Sequence, residues 1–124
     1  MEQKKTIKKH KRREIGDWKS KAIKSYWIHL YVAGDYATCE KVCREACFPS
    51  GLCVTLEKCK YIFGGGTEDG VRIGFIDYPP FPEASTTVLF DKAVELGKRL
   101  VDANFQFSFS VVTPDNTVFF SRVR

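Results

Sequence analysis

The chain has 124 residues, enough for one domain with a single core, and its 44% apolar and 28% charged content is ordinary for a globular protein. No apolar run approaches the roughly 18 residues that span a bilayer, and the basic N-terminus lacks the apolar segment of a secretion signal, so a membrane role is set aside and a cytoplasmic protein is expected. The net charge of +5 is unevenly placed: residues 1–24 hold ten Lys/Arg against three acids (+7), whereas residues 25–124 hold ten against twelve (−2).

Residues 1–24, "MEQKKTIKKHKRREIGDWKSKAIK", are therefore read as a basic, flexible tail, disordered or only partly helical. Ile7, Ile15, Trp18 and Ala22 make a ragged helical stripe that Gly16 and Asp17 interrupt. The run Lys8, Lys9, Lys11, Arg12 and Arg13 suits phosphate contact, an acidic partner or a nuclear address, and equally a plain solubilising extension.

Residues 25–124 read as one domain. The period becomes two at Ser25: Ile28, Leu30 and Val32 fall on one side of a strand and Trp27, His29 and Tyr31 on the other. "AGD" ends it, with Asp35 as N-cap of a helix through Cys47, and "FPSG" closes that helix on Gly51. Two strands follow, "LCVTLEKCKYIF" and "VRIGFIDY", joined by the seven-residue connection "GGGTEDG". After "PPFP", the segment "ASTTVLFDKAVELGKRLVDAN" is the clearest helix, with Leu89, Ala93, Leu96, Gly97 and Leu100 as its buried stripe and Asn104 as its stop. "FQFSFSVVT" and "TVFFSRV" then alternate around the turn "PDN". The order β-α-β-β-α-β plus one C-terminal strand predicts a ferredoxin-like α+β fold: an antiparallel sheet with both helices on one face and the other face open.

The motifs argue against chemistry. A phosphate-cradling glycine loop leads into a helix, whereas "GGGTEDG" leads into a strand and carries Glu68 and Asp69, which repel phosphate. "GGTED" beside Asp35 has the layout of acids in nucleotide-handling palm domains, but acids at a hairpin tip are satisfied by solvent, and the segment is read as a turn. The acylphosphatase group shares this element order, yet "AGDYAT" has no arginine to bind phosphate. The five cysteines, an odd number, suit reduced thiols. Cys39, Cys43 and Cys47 recur every four residues along one helix face, where they serve as small core residues better than as tetrahedral metal ligands. No catalytic residue, metal or cofactor is expected.

"LYVAGD" and "GFIDY" resemble the two strand signatures of the RNA recognition motif. That resemblance implies stacking of unpaired bases on Tyr31 and Phe75, with Ile73 beside them and Trp27 and His29 extending the platform. In this reading Phe75 shares an outward face with Val71 and Ile73. Residues 26–122, through "YIFGGGTEDGVRIGFIDYPPFP" and "VVTPDNTVFFSR", are also similar to small phage-encoded proteins, which implies the cytoplasm of an infected bacterium. The expectation is a non-enzymatic binding protein that holds single-stranded RNA or DNA through the tail and the open sheet face. The alternative is a protein-binding module, either a phage factor acting on a host protein or a homodimer joined through that face.

Overall fold

The computed structural model describes residues 11–22, 25–76 and 86–123, with the side chains of 11–15, 21 and 76 left out of the description. "PPFP" lies outside the described residues, as do Lys8 and Lys9.

The elements run β1 (Lys11–Ile15), β2 (Trp18–Ala22), β3 (Trp27–Ala33), α1 (Tyr36–Ser50), β4 (Val54–Phe63), β5 (Gly66–Ile76), α2 (Thr86–Asn104), β6 (Ser108–Val112) and β7 (Thr117–Ser121). β3 to β7 form one five-stranded sheet in the order β4-β5-β3-β6-β7, antiparallel throughout. This is the expected ferredoxin-like α+β arrangement with β7 added beside β6.

β1 and β2 form a separate two-stranded ribbon, in register from Lys11↔Ala22 to Ile15↔Trp18. The segment expected to be disordered or raggedly helical is thus strand over 11–22. Gly16 opens its turn at φ 61, the positive value a two-residue hairpin loop demands. The register sets Glu14 opposite Lys19. Lys11, Arg12 and Arg13 all lie on β1.

α1 begins where Asp35 caps it. The Asp35 carboxylate accepts from the Thr38 backbone N–H and hydroxyl, both at 3.0 Å. These bonds hold the Asp35 carboxyl below the usual range. The helix runs three residues past Cys47 and takes in Pro49. It ends at Gly51, whose φ of 71 no side-chain-bearing residue adopts without cost. α2 ends at Asn104 as expected, followed by Phe105 at φ 57 and a bond from Gln106 N–H to the Val101 carbonyl at 2.9 Å.

The core lies between one face of the sheet and the two helices. Ile28, Leu30 and Val32 of β3 meet Val71, Ile73 and Phe75 of β5, Phe109 and Val111 of β6, Cys39 and Cys43 of α1, and the α2 stripe, which gains Val101. The two cysteines therefore fill core positions, and burial pushes the Cys43 thiol up to about 12. Gly97 is part of this packing, since a Cβ there would come within 2.4 Å of the Phe109 ring. Phe109 in turn stacks on Phe120 at 4.9 Å.

Two expectations about β4 and β5 need correction. The connection is two residues long, Gly64 and Gly65, because Phe63 already pairs with Gly66. Thr67 to Gly70 belong to the ladder, so Glu68 and Asp69 are strand residues. The phase of β5 is also the reverse of that expected: Val71, Ile73 and Phe75 are fully buried beneath the helices. Three large apolar side chains stabilise far more when buried than the alternative set of Arg72, Gly74 and Ile76, and that difference sets the phase.

Candidate functional site

The uncovered face carries Trp27, His29 and Tyr31, as expected from the alternation of β3. The rings form a continuous stripe, with Trp27 to His29 at 4.7 Å and His29 to Tyr31 edge-on at 6.4 Å. Phe75 and Ile73 are not part of it. Their places opposite the stripe are taken by Arg72, opposite Tyr31, and Gly74, opposite His29. Arg72 donates from Nε to Glu57 Oε1 at 2.7 Å and is also held by the Tyr31 hydroxyl. Partial burial, helped by Arg72, lowers the His29 pKa from its ordinary value, which favours the neutral imidazole. A base-stacking platform of two rings on adjacent central strands is therefore not built: one ring faces out and the other sits in the core.

The polar geometry converges elsewhere, at the end of the sheet where β3 gives way to α1. Here Gly34 N–H donates to the Asp69 carbonyl at 3.0 Å, which fastens the end of β3 to β5. Asn104, at the end of α2, closes the other side. Its side-chain oxygen accepts from Asp35 N–H at 2.9 Å, and its amide donates to the Leu100 carbonyl at 2.9 Å and to Cys39 Sγ at 3.4 Å. Gly34 permits this approach, since a Cβ there would lie 2.4 Å from Asn104 Cγ.

The result is a cavity of about 450 Å³ lined by Gly34, Asp35, Tyr36, Lys58, Cys59, Lys60, Asp69 and Gly70. That volume lies within the range of small-molecule sites. Register explains the lining. Leu56 of β4 packs against the core, and the same face of that strand continues outward as Lys58 and Lys60. Lys60 pairs with Asp69 across the ladder, Nζ to Oδ1 at 2.7 Å, and this bond keeps Asp69 ionised. Lys58 Nζ stands 5.5 Å from the centre of the Tyr36 ring, a cation on an aromatic face. Behind the cavity, the Tyr61 hydroxyl donates to the Val71 carbonyl at 2.6 Å, and Cys59 Sγ lies 3.5 Å from the Tyr61 hydroxyl oxygen. Burial raises the Tyr61 pKa, so the phenol stays protonated. The site offers two carboxylates, two ammonium groups and an aromatic face, a set suited to a ligand that bears both charges.

A smaller hollow of about 310 Å³ lies between α2 and the β6–β7 end of the sheet. Phe107, Phe109 and Phe120 line it, and Asp102 with Arg122 forms an ion pair at its rim. Its lining is mostly apolar, and Lys98 beside it is paired with Glu95.

Of the charged and aromatic residues around the larger cavity, the sequence reading singles out Asp35 and Asp69, one as a helix cap and the other as a hairpin tip. Tyr36, Lys58 and Lys60 went unremarked. The available signal was the continuation of the Val54–Leu56 side of β4 into two lysines. No cluster of three or more His, Cys, Asp or Glu side chains that could hold a metal ion occurs among the described residues. No described helix is long and apolar enough to cross a membrane.

No protein-family model matches the sequence, and no curated protein does. Two solved structures share the fold. Phage SAM lyase in its apo state matches at 18% identity and a TM-score of 0.63, over 80% of this chain and 90% of that one. Phage SAM lyase in complex with S-methyl-5'-thioadenosine matches at 18% identity and a TM-score of 0.55, over 78% and 89%. The expectation of a non-enzymatic protein binding nucleic acid or another protein is overturned by this comparison, because the structures that share the architecture are those of an enzyme with a small-molecule ligand. By fold, the chain is similar to phage SAM lyase.

Proposed function

We propose that this protein is an enzyme acting on S-adenosylmethionine (SAM), breaking the bond between the sulfonium sulfur and the methionyl arm so that S-methyl-5'-thioadenosine leaves. The observation that carries this reading is the fold likeness to phage SAM lyase, which spans most of both chains and recurs with the ligand-bound form. As the bond breaks, the substrate's own carboxylate oxygen bonds to the carbon that sulfur leaves and closes a lactone, while the bonding pair passes to sulfur and turns the sulfonium into a neutral thioether. The sulfonium is thus its own leaving group. The protein's task is to hold the arm in a reactive geometry and keep it there, which is how positioning lowers a barrier. The cavity at the start of α1, with both signs of charge and a ring face, supplies the contacts such a substrate needs. A phage origin and action in the cytoplasm of an infected bacterium belong to the same reading, supported by the resemblance of residues 26–122 to small phage-encoded proteins.

The test is direct. Purified protein is incubated with SAM, and S-methyl-5'-thioadenosine is followed by liquid chromatography with mass detection. Accumulation well above that in protein-free buffer and in a heat-inactivated sample is expected. Release at the protein-free rate would refute the assignment.

A further inference from the structure

We propose that the cavity at the start of α1 recognises the charged arm of its substrate, with the Tyr36 ring facing the sulfonium and Lys58 taking the carboxylate. This rests on the reading of SAM as substrate, and goes beyond it by assigning named groups to two parts of the molecule.

A sulfonium has no hydrogen to donate and no lone pair available to accept. Its recognition depends on negative potential, from carboxylates or from the faces of aromatic rings. Tyr36 already displays such a face to a cation, since Lys58 Nζ stands over its ring. Asp35 and Asp69 lie on the same lining, each with its carboxyl held below the usual range, so both stay ionised at neutral pH. Lys60 already offsets Asp69, which leaves the ring face and the Asp35 carboxylate, bonded to neutral Thr38 groups, as the negative groups for an arriving cation.

The two lysines are differently engaged. Lys60 is bonded to Asp69 at 2.7 Å, whereas Lys58 rests on the ring. A sulfonium arriving over Tyr36 takes the place of the Lys58 ammonium. The lysine, on its flexible four-carbon stem, then turns to the carboxylate that arrives on the same substrate. One cation replaces another on the ring, and the displaced cation gains an anion. A ligand with the carboxylate but no positive sulfur leaves Lys58 with two competing partners and binds less tightly.

Calorimetric titration with three unreactive ligands tests this. S-adenosylhomocysteine has a neutral sulfur, sinefungin has a protonated amine where the sulfonium stands, and S-methyl-5'-thioadenosine lacks the amino-acid arm. The wild type is expected to prefer sinefungin to S-adenosylhomocysteine by about tenfold. Tyr36→Leu keeps the apolar packing and is expected to bring that preference close to unity, while Tyr36→Phe retains it. Lys58→Met is expected to weaken both arm-bearing ligands by about tenfold and to leave S-methyl-5'-thioadenosine unchanged. An undiminished preference in Tyr36→Leu, in a protein whose melting curve is unaltered, overturns the proposal. So does a Lys58→Met variant that binds S-methyl-5'-thioadenosine as poorly as the others. The two proposals fail separately. If SAM is never consumed yet the preference depends on Tyr36, the recognition stands and the reaction falls. If both variants release S-methyl-5'-thioadenosine from SAM with wild-type kcat/KM, the reaction stands and this recognition falls.

Discussion

The two faces of the five-stranded sheet share one backbone and one period, yet they differ in what their side chains do. The covered face is closed by volume: Val71, Ile73 and Phe75 interlock with Ile28, Leu30 and the α2 stripe, with no exposure. The open face is organised by pairing. Its rings meet tilted and edge-on along β3, and Arg72 is shared between Glu57 and Tyr31. The difference teaches that alternation along a strand does not by itself say which set of residues is structural. The neighbouring strands decide, through what each set would have to pack against.

That contrast can be broken or sharpened by substitution. The largest effect is expected from Phe75→Ala, which empties a fully buried site and should cost about 3–5 kcal/mol in urea unfolding. Tyr31→Ala, across the sheet on the open face, should stay within roughly 1 kcal/mol. Equal losses would mean that the open face is covered in solution. A smaller contrast is expected between two glycines. Gly97→Ala drives a methyl group into the Phe109 ring and should cost about 1–3 kcal/mol. Gly74→Ala meets only the end of the Thr55 side chain, at 2.5 Å, and rotation of that hydroxyl should keep the change under about 1 kcal/mol. Both are read from the midpoint and slope of the same denaturation curve.

The smallest effect is electrostatic. His29 should titrate below its ordinary value of 6.5, as measured by proton NMR of its ring, and Arg72→Leu should move it part of the way back up. Because the folded pKa is depressed, the imidazole is neutral in the fold. Its contribution to stability is full above the unfolded value near 6.5 and is lost as pH falls through the folded one. A His29 that titrates above 6.5 would place a negative group, not Arg72, as its dominant neighbour.

Much of the fold was readable because some segments admit a single reading. Ile28, Leu30 and Val32 leave no doubt about the buried side of β3, and the Leu89 to Leu100 stripe likewise sets the face of α2. Asp35 followed by a helical pattern specifies its own cap. β5 was harder, because the Gly74–Phe75 pair fits the outward aromatic of an RNA-binding signature as well as the inward apolar of a core. Packing against Leu56 and Leu30 resolves it. Three consecutive glycines also concealed how short the β4–β5 turn is, and so kept Glu68 and Asp69 out of the ladder. The cavity was the least legible part. Asp35, Lys58 and Asp69 become neighbours only through the register Lys60↔Asp69 and the bond from Gly34 to Asp69, neither of which leaves a local trace.

Asn104 gives this arrangement a place in time. It clasps Asp35 from 69 positions further along the chain, and its side chain fills the space that Gly34 leaves open. While the protein is being synthesised, every residue that lines the cavity leaves the ribosome before the residue that braces it. At translation speeds of about 5–20 residues per second, the nascent β3–α1–β4–β5 segment waits several seconds for its clasp. The lining can assemble early, but its rigid form must await the end of α2, so ligand binding should arise late and together with the closing of the whole domain.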